Sequence, residues 1–207
     1  MQMKNIVVRM LSKETIKKSF SFVASFIEES RLNKAKRYKK EDDQLLSMGG
    51  SYLIKRFLPD KEVIYEEGKK PYILGGPSFN ISHSNDYVVF VSDDVDIGID
   101  IEIIDSRKID AIYFVLKEDE KDENIHNLFR MWTNKESLAK CKGTGVNEIK
   151  NASPLPLNGV RTFDHQDYYT VSMIYMDYAL SITRNGKEPF DISIVNVSIM
   201  EDLEYRL

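Results

Sequence analysis

A chain of 207 residues is long enough for one large domain or two small ones, and it can bury a core without crosslinks. Its single cysteine, Cys141, excludes an internal disulfide. Three scattered histidines leave no zinc-type spacing, and no run of about 18 apolar residues offers a membrane span. The N-terminus lacks a charged start, apolar middle and small-residue cleavage site, so a cytoplasmic location is expected. Charge is uneven along the chain: residues 1–80 hold 16 Lys and Arg against 10 Asp and Glu, and residues 81–207 hold 13 against 23. A basic part followed by an acidic part suits a site where an anionic ligand meets a metal held by oxygen, and it also reads as chance asymmetry.

Residues 3–10 predict an opening strand, and Lys13 to about Phe57 predicts mostly helix, with Phe22, Phe26 and Ile27 at helical spacing and no proline before Pro59. Inside this region the run RLNKAKRYKK, residues 31–40, places Arg31 and Lys34 on one helical face with Tyr38. Such a run is commonly just a solvated face; Glu41, Asp42 and Asp43 follow at once, which excludes a nucleic-acid tail. Met48 to Leu58 reads as a helix with Tyr52, Leu53 and Phe57 in its apolar stripe, ended by Pro59 and Asp60. In VIYEEGKKPYIL, residues 63–74, a short strand is followed by a turn at Gly68, and either Lys69 or Lys70 is held before a rigid proline towards an anion or simply towards water.

The stretch from Phe79 to Glu102 is the organising one. It predicts a polar turn of Ser82, His83, Ser84 and Asn85, a strand, a short acidic turn and a second strand. In that second strand Ile97, Ile99, Ile101 and Ile103 share one face, and Asp96, Gly98, Asp100 and Glu102 share the other. Neighbouring carboxylates repel unless solvent screens them or a cation sits between them.

Residues 105–119 predict a connection and a helix, with Phe114 and Leu116 apolar and Glu118 beyond them. Asp122 to Cys141 predicts a helix whose apolar stripe is Ile125, Leu128, Phe129, Trp132 and Ala139. At roughly 100° per residue Glu136 falls in that same stripe, so its carboxylate must be paired, metal-bound or protonated. Lys140, one turn on, supplies the simplest partner. Gly143, Thr144 and Gly145 then form a loop. Val146 to Leu207 alternates as antiparallel strands at 168–176, 178–184 and 191–199, with Tyr178, Leu180 and Ile182 on one face and an Asn185–Gly186 hairpin turn; Pro154, Pro156, Asn158 and Gly159 mark a loop. His126 and His165 have no nameable partners.

FNISHS, GIDIE, WTNKES and KGTG occur in this order, and the chain resembles a 4'-phosphopantetheinyl transferase of the surfactin-synthetase-activating type over about residues 31–145. The resemblance implies an α+β fold of two pseudo-symmetric halves, each a small antiparallel sheet packed with helices. Residues 1–95 would form the half that binds coenzyme A phosphates, and 96–207 the half with the Mg2+ site and the carrier-facing helix. It implies Asp100, Glu102 and Glu136 as Mg2+ ligands, and Arg31, Lys34, Lys70, Ser82, His83 and Lys140 as contacts to coenzyme A. Glu136 and Lys140 would be catalytic, and Glu118 matches a further glutamate of the pattern. The implied activity moves 4'-phosphopantetheine from coenzyme A to a serine of an acyl or peptidyl carrier protein, with release of 3',5'-ADP, by a monomer that meets neither nucleic acid nor membrane. Two other readings use the same residues: a catalytically silent homologue that binds coenzyme A or a carrier, and a Mg2+-dependent nucleotide phosphohydrolase. The family often has glycine where this chain has Asn85, a residue that tolerates a left-handed backbone. It also commonly has an arginine near the position of Gln44 and Leu45.

Overall fold

The computed structural model describes residues 3–145 and 157–199. Two four-stranded sheets, rich in antiparallel pairs, face each other with helices on their outer sides. The opening strand is β1 (Lys4–Ser12), followed by α1 (Lys13–Lys18), α2 (Phe20–Phe26), α3 (Glu29–Ala35) and α4 (Glu41–Phe57). The side chain of Ser12 accepts a hydrogen bond from the Thr15 amide, so β1 passes directly into a capped helix. The last predicted helix of this region begins earlier than Met48, and Tyr38 lies past the end of α3, off the face shared by Arg31 and Lys34.

Strands β2 (Ser78–Ser84), β3 (Tyr87–Asp93) and β4 (Ile97–Ile103) follow. Ser82, His83 and Ser84, expected in a turn, belong to β2; the turn is confined to Asn85 and Asp86, with Asn85 in the left-handed region at φ 50°. After a short 3-10 turn, Ser106–Lys108, come α5 (Ile109–Val115) and α6 (Ile125–Lys142). The chain ends its described part with β5 (Asn158–Phe163), β6 (Gln166–Tyr175), β7 (Tyr178–Asn185) and β8 (Phe190–Asn196). Asn158 and Gly159 start a strand instead of a loop, and the expected loop prolines Pro154 and Pro156 lie outside the described residues. One sheet has the order β2-β3-β1-β8 and the other β4-β7-β6-β5. The final strand is therefore not a neighbour of β7: β8 crosses back and pairs parallel with β1, Lys4 opposite Phe190 through Met10 opposite Asn196.

The core between the sheets is built from alternate residues, as a period of two requires. Ile6, Val8 and Met10 of β1 and Val89 and Val91 of β3 meet Ile97, Ile99 and Ile101 of β4 and Leu180 and Ile182 of β7. The opposite face of β7 is small and polar, and α6 lies on it. Thr133 and Ser181 share a 2.7 Å hydroxyl hydrogen bond, as do Ser137 and Thr183. Gly98 completes this close seat, because a Cβ there would lie 2.1 Å from the Ser137 carbonyl oxygen. The second, acidic face of β4 is thus roofed by α6: Gly98 and Asp100 are buried and Glu102 is half-buried.

Candidate active site

Strands β2 and β4 are edge strands of different sheets, and the seam between them carries the site. In an antiparallel edge strand alternate amides point away from the paired neighbour and need another acceptor. The amides of Ile97, Ile99, Ile101 and Ile103 donate to Ser78 Oγ (3.3 Å), Asn80 Oδ1 (2.9 Å), Ser82 Oγ (3.4 Å) and Ser84 Oγ (3.0 Å). The alternating polar side chains of β2 thereby replace backbone pairing and fix the register of Asp100 and Glu102 against β2. Ser82 Oγ donates to Asp100 Oδ1 at 2.9 Å, and Ser84 Oγ donates to Glu102 Oε2 at 2.9 Å.

From the opposite side α6 brings in Glu136 and Lys140. Asn124 caps its start by accepting from the His126 and Asn127 amides, and Gly143 ends it at φ 73°. Lys140 does not pair with Glu136, as the one-turn spacing first offers; its Nζ donates to Asp100 Oδ1 at 2.6 Å and to Ser82 Oγ at 2.9 Å. Asp100, Glu102, Glu136, Ser82, His83, Trp132 and Lys140 line one cavity of about 330 Å³. Burial, and then the neighbouring Asp100 charge, push the Glu136 carboxyl up to about 7. Burial likewise raises Asp100 against the pull of Lys140, and its Oδ2 is buried with no hydrogen-bond partner. His83 is depressed by desolvation and by the Lys140 charge. Among the described residues no three histidine, cysteine or carboxylate side chains stand as a ready-made metal cage. Lys140 holds one oxygen of Asp100, and Lys108 Nζ holds Glu102 Oε2 at 2.7 Å.

Lys140 and Ile81 also border a second, basic cleft of about 500 Å³, lined by Arg31, Lys34, Tyr65, Lys69 and Lys70 and by the loop Gly143–Gly145. The Arg31 guanidinium stacks over the Tyr65 ring, 4.1 Å from its centroid. Lys34 is lowered by desolvation and by Arg31. The two lysines of the turn differ: Lys69 is exposed and paired to Glu66, whereas Lys70 Nζ points inward to the Ile97 carbonyl (2.7 Å) and Ser78 Oγ (3.3 Å) and is lowered by desolvation.

Glu118 stays outside this assembly, exposed and paired with Lys121. The buried glutamate of that segment is Glu120, whose Oε2 lies 2.5 Å from Lys135 Nζ with both side chains at 0% exposure. Sequence reasoning missed Ser78, Asn80, Ser84, Lys108 and the Glu120–Lys135 pair. The alternation S-x-N-x-S-x-S against the alternation of β4 was a usable signal for the first three; nothing local marks Lys108.

The class of structure is thus a two-sheet α+β fold in which a basic cleft adjoins a three-carboxylate cavity. The model of the 4'-phosphopantetheinyl transferase superfamily matches residues 96–183. The chain is 31% identical over 161 residues to the 4'-phosphopantetheinyl transferase Sfp of Bacillus subtilis (strain 168), covering 69% of each chain. It is 27% identical to the transferase gsp of Aneurinibacillus migulanus, over 84% of this chain and 73% of that one. It is also 25% identical to the transferase psf-1 of Bacillus pumilus, over 98% and 97%. The chain belongs to the 4'-phosphopantetheinyl transferase superfamily and is an enzyme of its surfactin-synthetase-activating type.

Proposed function

We propose that this enzyme transfers 4'-phosphopantetheine from coenzyme A to a serine hydroxyl of an acyl or peptidyl carrier protein, depends on Mg2+ and releases 3',5'-ADP. The observation that carries the reading is the meeting of the basic cleft and the acidic cavity at Ile81 and Lys140, of which Lys140 brings the charge. In this reading residues 1–95 supply most of the phosphate-binding cations and residues 96–207 the carboxylates.

Arg31, Lys34 and Lys70, with His83 at the cavity, hold the phosphates of coenzyme A. Lys70, which donates to Ser78 and Ile97, would have to turn its ammonium outward to reach a phosphate, whereas Ser82 acts by fixing Asp100 and Lys140. Asp100, Glu102 and Glu136 would hold the Mg2+. The fit is supported by the unpartnered buried Oδ2 of Asp100 and by an all-oxygen donor set of the kind Mg2+ takes together with substrate phosphates. The ion would supply charge stabilisation at the pyrophosphate. Glu136, on the α6 side of the cavity, is the group that accepts the serine proton in this reading. The serine oxygen then forms a bond to the phosphorus bearing pantetheine, and the bond from that phosphorus to the bridging oxygen breaks, leaving 3',5'-ADP. Lys140 stabilises the charge that grows on the phosphoryl oxygens.

Mass spectrometry of an apo carrier protein incubated with the enzyme, coenzyme A and Mg2+ tests this directly. One added phosphopantetheine is expected, and Asp100→Ala or Glu136→Ala abolishes it. No mass shift with any of several apo carriers refutes the transfer, and loss of coenzyme A without carrier modification marks a phosphohydrolase. The same reading makes the enzyme a cytoplasmic monomer whose partners are coenzyme A and the carrier, without nucleic acid or membrane; sedimentation equilibrium checks the monomer.

A further inference from the structure

The two β4 carboxylates are gripped in the same way. Asp100 gives Oδ1 to Ser82 (2.9 Å) and Lys140 (2.6 Å), and Glu102 gives Oε2 to Ser84 (2.9 Å) and Lys108 (2.7 Å). In each case a serine of β2 and a lysine from a later element hold one oxygen, and the hydrogen bonds leave the other out: Asp100 Oδ2 is buried without a partner. Lys140 belongs to the site already described. Lys108 lies in no motif; it closes the 3-10 turn after β4, and its side chain is 42% exposed while that of Glu102 is 25% exposed.

The number of oxygens a carboxylate can offer separates the two common hard cations. Mg2+ demands near-octahedral coordination, with six positions that carboxylates share with phosphates and waters. Ca2+ takes six to eight oxygens and uses carboxylates in bidentate fashion. For Glu102 to chelate with both oxygens, Oε2 must give up a hydroxyl donor and a charge-assisted bond from an ammonium. We propose that Lys108, together with Ser84, restricts Glu102 to a single metal-donating oxygen and so sets the site's preference for Mg2+ over Ca2+. Lys108 is in this sense a positioning residue that acts through Glu102, and the inference rests on the reading that Asp100, Glu102 and Glu136 hold the ion.

Isothermal titration of the full chain, saturated with coenzyme A and lacking any carrier, with MgCl2 and separately with CaCl2 tests it without turnover. Removing a positive charge tightens binding of both ions, so the decisive quantity is the ratio of their dissociation constants, which does not depend on the fraction of folded protein. In Lys108→Met the ratio is expected to move about tenfold towards Ca2+. Ser84→Ala is expected to move it the same way by less, and Lys108→Arg, which can still hold Oε2, to leave it near the wild-type value. A ratio unchanged in Lys108→Met, with uptake of both ions lost in Asp100→Asn, overturns the inference and leaves the metal site standing. Absence of uptake of either ion by the wild-type chain overturns the metal site and the inference with it.

Discussion

Replacing Gly98 with alanine perturbs the geometry of the site without touching any charged group. Gly98 faces α6, and an added Cβ would lie 2.1 Å from Ser137 O, 2.4 Å from Cys141 N and 2.9 Å from Cys141 Cα. All three are backbone atoms, adjacent in sequence to Glu136 and Lys140, and cannot swing aside as a side chain can. Ordinary contact begins near 3.4 Å, so the helix backbone must retreat by more than 1 Å. That retreat stretches the Thr133–Ser181 and Ser137–Thr183 bonds of 2.7 Å and the Lys140–Asp100 contact of 2.6 Å. Overpacking costs ~1–3 kcal/mol, and each buried hydrogen bond pulled apart adds ~1 kcal/mol. A total of about 3–5 kcal/mol lowers the melting temperature by roughly 10 °C. A displacement of about 1 Å at the reacting groups lowers the transfer rate ~100-fold. Near-UV circular dichroism melting and carrier modification followed by mass spectrometry measure the two effects. Wild-type melting and rate in Gly98→Ala would show that the glycine does not seat α6. Lower melting with an undiminished rate would refute the positional half of the reasoning.

Arg31→Ala removes the guanidinium stacked on Tyr65 at the rim of the basic cleft. The coenzyme A concentration for half-maximal rate is expected to rise ~10-fold, about 1.4 kcal/mol, with kcat nearly unchanged; an unaltered requirement would make the basic run a solvated face. Lys135→Met removes the ammonium paired with buried Glu120, which keeps the Lys117 amide and the pull of the buried Arg161, and is expected to cost ~3 kcal/mol in denaturant unfolding, the low end for a broken buried pair. The Glu136 carboxyl, raised from 4.5 to about 7, binds its proton more tightly in the folded chain than in the unfolded one. Stability without divalent cations therefore falls as pH rises from about 4.5 to about 7 and then levels. Glu136→Gln should reduce that slope, leaving the part from the raised Asp100, as unfolding midpoints at pH 5 and pH 8 in chelator would show.

A period of two was legible in the chain because side-chain alternation is local. It placed Ile97, Ile99 and Ile101 on the core face of β4 and Tyr178, Leu180 and Ile182 on that of β7, as found. Helical spacing likewise turned Glu136 towards the interior, and the structure puts it in the acidic cavity. Strand against turn was harder to tell for Ser82, His83 and Ser84. Small polar residues favour turns in isolation, and here backbone pairing with β3 and the free amides of edge strand β4 make a strand of them. The partner of Lys140 was misread for a related reason. The i to i+4 neighbour is the nearest charge along the helix, but a buried carboxylate on another strand is a stronger attraction than a half-exposed one on the same face.

Alternation and helical spacing by themselves put Asp100 and Glu102 on one face of a strand and Glu136 in the inward stripe of a helix, and the resemblance carried by the ordered motifs implied the α+β fold and drew in Arg31, Lys34 and Lys140. The tertiary structure alone decided that β8 returns to pair parallel with β1, that Glu120 and not Glu118 is buried, against Lys135, and that Lys70 and not Lys69 turns inward. It also decided that Ser84 and Lys108 share one oxygen of Glu102. The physical reason is common to these cases. Periodicity fixes which way a side chain leaves its own backbone, whereas the identity of its partner depends on which elements pack together and how closely, a property of the whole fold.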